Sequence, residues 1–201
     1  MSQIYLISPP EIDLAVFSKR LEEALATKQV PVFQLRLKNY PDSQIIEIAQ
    51  KLNDICQKYG TLFILNDRCD LALKVNASGV HVGADDGNIA EIRQKSPKNF
   101  IIGASCYDSK DLAASAVENS ANYVSFGAFF ASKTKKSRGN PKAEILTWCN
   151  DVLPVPAVAI GGINDSNCSV LRKAGADFLA VISYVWDHPK GVQKAIDELL
   201  C

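Results

Sequence analysis

Two aspartates, Asp67 and Asp86, each follow a short β-branched run, 62–66 and 79–82, and lie one βα repeat apart in the chain. Neighbouring parallel strands stand roughly 4.8 Å apart. At that spacing the two carboxylates can share one Mg²⁺ and leave positions open for phosphate oxygens and water. Taken singly, Asp67-Arg68 reads equally well as a helix cap beside a surface ion pair, and Asp85-Asp86 as a turn. Cations gather in the same register: Arg36 and Lys38 close an earlier run, and Lys135 ends the string Ser132-Lys133-Thr134-Lys135. The segment 131–141 around it is rich in Lys, Ser and Gly and long for a βα loop, which suits a mobile lid with Lys136 and Arg138 on its solvated face. Gly161-Gly162 follow one later run and Ile182-Ser183 close the last, where converging backbone N–H groups could cradle a phosphate; a tight turn is the other reading of the glycines. Gln34, Asn66 and Ser105 add neutral hydrogen-bonding groups. His81 sits inside a run with no acidic, Ser or Cys partner at catalytic spacing, so it reads as a packed histidine, and no nucleophile–base pair is evident. This inventory suits loss of a diphosphate, because metal and cations stabilise the developing charge and no enzyme proton need move. The second substrate would then be a monophosphate with a lone pair of its own.

Such residues must be held by a scaffold, and its elements are legible. Short β-branched or aromatic runs recur at 4–8, 32–37, 62–66, 79–82, 100–105, 123–127, 155–160 and 178–183. Helix-patterned stretches follow at 13–27, 42–59, 70–74, 88–95, 109–119, 141–152, 166–174 and 188–200. Alternation of this kind predicts βα units and a parallel sheet. The segments around 77–83, 121–127 and 176–182 share a small-residue turn running into a strand, a weak repeat at about two βα units. Eight units predict a single-domain (β/α)8 TIM barrel over residues 1–201; a doubly wound open sheet is the alternative. In such barrels the C-terminal strand ends carry chemistry, and those are the ends where the polar residues above fall.

Composition narrows the classes. With 201 residues, 47% of them apolar, the chain suits one well-covered core. Formal charge is +0, without a broad basic face for nucleic acid or anionic membrane. No run approaches the roughly 20 apolar residues of a membrane helix, and residues 1–10 lack the pattern of a signal peptide. A cytoplasmic enzyme with small-molecule partners is the expectation, a homo-oligomer being left open. The 6 cysteines form no C-x-x-C pair and only 2 histidines are present, which argues for packed thiols over a zinc site or disulfide framework.

Eight strings together resemble the thiamine-phosphate synthase family: Tyr5-Leu-Ile, Gln34-Leu35-Arg36-Leu37-Lys38, Leu65-Asn-Asp-Arg68, Gly79-Val-His-Val-Gly-Ala-Asp-Asp86, Ile102-Gly-Ala-Ser105, Phe126-Gly-Ala-Phe-Phe-Ala-Ser-Lys-Thr-Lys135, Ala159-Ile-Gly-Gly-Ile163 and Ala180-Val-Ile-Ser183. They occur in family order along nearly the whole chain. The resemblance implies a Mg²⁺-dependent barrel that joins 4-amino-2-methyl-5-(diphosphooxymethyl)pyrimidine to 4-methyl-5-(2-phosphooxyethyl)thiazole and releases diphosphate. It implies that Gln34, Leu35, Arg36, Leu37 and Lys38, with Asn66, Ser105 and Lys135, hold the pyrimidine diphosphate. Arg36, Lys38 and Lys135 would be the catalytic cations, and Asp67 and Asp86 the Mg²⁺ ligands. Ser132, Lys133, Thr134, Gly161, Gly162, Ile182 and Ser183 would hold the thiazole phosphate. Leu37 stands where the family string is usually acidic, Ser132 where its first threonine stands, and Ser8-Pro9 where Thr-Asp is common. Rival readings are a thiazole tautomerase-like paralogue, which typically lacks the aspartate pair and loop lysine, and a non-catalytic thiamine-phosphate-binding barrel.

Overall fold

A computed structural model describes residues 2–83, 87–131 and 139–200. Eight parallel strands follow one another around a closed barrel: β1 (Gln3–Ile7), β2 (Val32–Leu35), β3 (Leu62–Asn66), β4 (Gly79–Val82), β5 (Ile101–Tyr107), β6 (Tyr123–Gly127), β7 (Ala157–Ile160) and β8 (Phe178–Val181). Closure is made by β8 against β1, with Gln3 opposite Phe178 and Leu6 opposite Val181. The predicted (β/α)8 barrel therefore forms, and the open sheet does not. Helices α1 (Leu14–Ala26), α2 (Asp42–Tyr59), α3 (Cys69–Lys74), α4 (Ile89–Lys95), α5 (Lys110–Glu118), α6 (Glu144–Val152), α7 (Cys168–Lys173), α8 (Ser183–Trp186) and α9 (Val192–Leu200) follow the strands.

Strand periodicity divides the apolar residues into two layers, since successive side chains point to opposite faces. Phe33 and Leu35 of β2 point outward and pack with Phe17, Leu21 and Leu25 of α1 and Ile45, Ala49 and Leu52 of α2. Tyr5, Ile7, Val32, Ile64, Tyr123, Val158 and Ala180 point inward and form a second cluster that fills the barrel. The outer helices begin where sequence says they can: the Asp13 carboxylate accepts from the Val16 N–H at 2.9 Å at the start of α1, and Asn88 and Ser109 do the same for α4 and α5. Cys56 and Cys106 are buried in the outer layer, and burial pushes both thiols up to about 12. They act as small hydrophobes. No helix among the described residues is long and apolar enough to cross a membrane.

Several boundaries move from expectation. β2 ends at Leu35 rather than 37, and β5 runs on to Tyr107 through a register shift between Ser105 and Tyr107. The largest difference is α8, a single turn where the sequence suggested a strand end at Ser183. Four residues are too few to show helical periodicity. The turn is fixed by tertiary contacts instead: the Trp186 indole N–H donates to the Ile7 carbonyl at 2.6 Å, and the Arg20 guanidinium bonds the Trp186 carbonyl and lies over its ring at 5.5 Å.

Candidate active site

The C-terminal strand ends surround a cavity of about 230 Å³. Its β2–β5 side is polar and charged: Gln34, Arg36, Lys38, Asn66, Asp67 and Ser105 all line it. Alternation decides which residues of the strand-2 string reach the mouth. Leu35 is fully buried and Leu37 is 9% exposed, both packed in the outer layer, so their side chains do not enter it and only backbone could meet a ligand there. The Ser8 hydroxyl, itself buried, accepts from the Arg36 N–H at 2.9 Å and fixes the exit of β2. Serine at that departure from the family string thus has a local structural job.

Asp67 leaves β3 in a left-handed conformation, φ 63, with its N–H donating to the His81 carbonyl at 2.8 Å. Aspartate tolerates that region better than most side chains. Its carboxylate meets the Lys38 ammonium at 3.2 Å. The next residue turns outward: Arg68 forms a forked ion pair with Asp42 and Asp70, at 2.7 Å to each from its Nη2. Arg68 holds both carboxyl groups below their ordinary range. Both residues of Asp67-Arg68 thus form ion pairs, Asp67 with Lys38 at the mouth and Arg68 with Asp42 and Asp70 on the outer surface; Arg68 also occupies the cap position of α3 without a side-chain cap bond. Asp86, with Asp85, lies outside the described residues, as do Ser132, Lys133, Thr134 and Lys135.

Across the cavity stand Gly161 and Gly162 after β7, and Ile182 and Ser183 between β8 and the first turn of α8. Both glycines have positive φ, 109 and 61. A Cβ on Gly161 would meet the Ala128 Cα at 2.6 Å, and one on Gly162 would meet the Ala131 carbonyl oxygen at 2.5 Å. The glycines let the ends of β6 and β7 close together, sealed by the Phe129 and Phe130 N–H groups donating to the Ile160 and Gly161 carbonyls at 3.1 Å each. At the far end of the β6–α6 connection, the Asn140 N–H donates to the Asp108 carboxylate at 3.2 Å.

Beneath the charged rim lies a set of contacts the sequence reading missed. Tyr5 and Tyr123, buried inward residues of β1 and β6, touch hydroxyl to hydroxyl at 2.6 Å. The Gln34 amide donates to Tyr5 at 3.0 Å, Tyr123 reaches the His81 Nδ1 at 2.9 Å, and the His81 Nε2 reaches the Ser105 hydroxyl at 2.9 Å. Burial raises both phenols above their ordinary pKa, so they remain hydroxyls. His81 is packed, as expected, yet it is also a bridge. Tyrosines at inward strand positions were the available signal, because a phenol inside a barrel must find a partner.

Apolar side chains fill the barrel and hydrogen-bonding and charged groups ring its C-terminal mouth, which defines an enzyme-type (β/α)8 barrel. Three comparisons make the assignment specific. The family model described as thiamine monophosphate synthase matches residues 4–185. The chain is 44% identical over 194 residues to thiamine-phosphate synthase of Rhodospirillum centenum, covering 96% of this chain and 94% of the relative. It is 41% identical to the enzyme of the same name from Erythrobacter litoralis, covering 98% and 95%. Its fold matches the solved thiamine phosphate pyrophosphorylase from Pyrococcus furiosus with a TM-score of 0.84 and 34% identity, covering 98% of this chain and 93% of that one. The chain belongs to the thiamine monophosphate synthase family.

Proposed function

We propose that this chain is a cytoplasmic transferase that condenses the aminopyrimidine methyl diphosphate with the thiazole ethyl phosphate to give thiamine phosphate and diphosphate. What carries the reading is the two-sided mouth: Gln34, Arg36, Lys38, Asn66, Asp67 and Ser105 face Gly161, Gly162, Ile182 and Ser183 across one cavity. A diphosphate needs the charged side; a monophosphate needs only backbone N–H groups and hydroxyls.

The roles follow from the chemistry. Arg36, Lys38 and Lys135 neutralise the diphosphate as the C–O bond to the pyrimidine methylene breaks and the electron pair leaves with oxygen. The exocyclic amine of the ring stabilises the methylene cation. The thiazole nitrogen lone pair then forms the new C–N bond, and no enzyme base is required. Gly161, Gly162 and Ser183, with Ser132, Lys133 and Thr134, hold the thiazole phosphate so that its nitrogen faces the methylene. Asp67 and Asp86 are the residues that would hold Mg²⁺. Among the described residues no three His, Cys, Asp or Glu cluster together, but Mg²⁺ needs only one or two carboxylates beside substrate phosphates. The Asp67 carboxylate fits such a cation, being an oxygen donor at the mouth that already faces an ammonium at 3.2 Å. When bound, the ion supplies positive charge to the departing diphosphate.

The deciding experiment is product formation from the two substrates with the purified protein, with Mg²⁺ and with excess chelator. Thiamine phosphate and diphosphate in equal amounts, dependent on Mg²⁺, are expected. Isomerisation of the thiazole alone would favour the tautomerase reading, and tight thiamine phosphate binding without turnover the binding-protein reading. The division of the mouth has its own test. Gly162→Asp should raise KM for the thiazole phosphate at least about tenfold by steric and like-charge conflict, and Gly162→Ala should raise it less, through backbone strain at φ 61 and the overlap of its Cβ with the Ala131 carbonyl oxygen but without the charge. A rise confined to the pyrimidine KM would mean that the two substrates occupy the opposite halves.

A further inference from the structure

We propose that Tyr5, Tyr123 and His81 form a one-way hydrogen-bond relay that fixes which edge of the mouth accepts and which donates, and so selects an amine-bearing ring over its oxo counterpart. The proposal rests on the pyrimidine reading for its ligand, though not for its chemistry. A Gln34 amide nitrogen can only donate, and it donates to the Tyr5 oxygen at 3.0 Å. Tyr5 is 3% exposed, and its hydroxyl meets only Gln34 and Tyr123 among the described residues. A buried hydroxyl hydrogen must be used, so Tyr5 donates to Tyr123. The Tyr123 hydroxyl has in turn only Tyr5 and His81 as partners there, so it donates to Nδ1. A neutral imidazole that accepts at Nδ1 carries its proton on Nε2, and that proton goes to the Ser105 oxygen at 2.9 Å.

The ends of the relay are what a ligand meets. With its nitrogen engaged, Gln34 turns Oε1 toward the cavity it lines, and no described residue donates to that oxygen. Ser105, having accepted from His81, has its own hydrogen left to give to the same cavity. The β2 side of the mouth thus accepts and the β5 side donates. A ring presenting an exocyclic amine toward β2 and a ring nitrogen toward β5 satisfies both. The 4-oxo ring sets an oxygen acceptor against Gln34 Oε1 and is rejected. Three positioning residues, which line the same cavity, therefore hold the two ligand contacts in one sense, because reversing either end requires reversing every bond between them.

Two measurements test this. In histidine-labelled protein, with only 2 imidazoles to assign, a long-range proton–nitrogen spectrum reads the His81 tautomer directly. Nδ1 bare and Nε2 protonated is expected; a proton on Nδ1 would reverse the relay and overturn the proposal. The second is discrimination between two dead-end ligands, the aminopyrimidine methyl monophosphate and its 4-oxo counterpart. Wild-type protein should prefer the amine by at least about 100-fold, the scale on which a polar site rejects a mismatched group. In Tyr123→Phe, or Tyr5→Phe if that folds better, Gln34 and Ser105 turn independently and the preference should fall below about tenfold. Equal weakening of both ligands with the ratio kept would mean that the phenols serve packing alone, and the proposal fails. Absence of binding by either ligand to wild-type protein that shows the expected tautomer would instead refute the pyrimidine reading.

Discussion

Asp67→Asn should lower kcat/KM by about 10² to 10³, the scale of losing one preorganised charge partner at a developing anion, while leaving the thermal melting curve in place. The structure gives two reasons why fold and activity should separate so cleanly. Asparagine is among the few residues that accept a left-handed backbone, so the φ of 63 and the N–H bond to the His81 carbonyl survive the change. The ion pair lost with the charge joins side chains that are 44% and 22% exposed, and pairs so open to water contribute little stability. Asp67→Ala loses the same weak ion pair but also places a residue poorly suited to φ 63, and should cost stability as well. Direct Mn²⁺ binding, read by electron paramagnetic resonance, should weaken in step with the Mg²⁺ dependence of turnover. An asparagine variant that keeps the wild-type metal dependence would remove Asp67 from the metal site and leave it as the counter-ion of Lys38.

Lys38 sharpens the same expectation. Its ammonium faces the carboxylate proposed to hold a divalent cation. If Asp67 holds Mg²⁺ as proposed, a bound diphosphate would draw Lys38 to its phosphate oxygens while the carboxylate holds the ion. That exchange would replace one opposite-charge contact by two.

The fold was legible because strand and helix periods alternate without interruption, and because both apolar layers follow the two-residue period. The rim was legible for a narrower reason: polar residues after strand ends have few roles in a parallel barrel besides the site. Strand alternation already turns residue 37 away from the side of Arg36 and Lys38, and Leu35 and Leu37 do pack in the outer layer. Two things were hidden. Ser183 looked like a strand end because α8 is a single turn specified by the contacts of its Trp186 with Ile7 and Arg20 from distant parts of the chain. The relay joins residues of β1, β2, β4, β5 and β6, and no local pattern encodes which inward residues of a closed barrel meet across its axis.

Gly103→Ala is expected to damage the fold by about 3 to 5 kcal/mol, and the reason lies in that hidden layer. Gly103 is an inward position of β5, where a Cβ would stand 1.9 Å from the Tyr123 Cζ and 2.3 Å from its hydroxyl oxygen. The ring cannot step aside cheaply, since its hydroxyl is tied to Tyr5 at 2.6 Å and to His81 at 2.9 Å. Overpacking alone costs about 1 to 3 kcal/mol, and each buried polar group that loses its partner as the ring shifts adds about 1 to 3 more. The variant should therefore unfold at a lower urea concentration than wild type and, where still folded, should lose the preference between amino and oxo rings. Gly103→Ala combined with Tyr123→Leu separates the two effects. Removing the ring relieves the overlap and should recover much of the stability, but none of the discrimination. A Gly103→Ala protein with a wild-type urea midpoint would show that the strand yields to make room, and that the glycine is not what seats Tyr123 in the barrel.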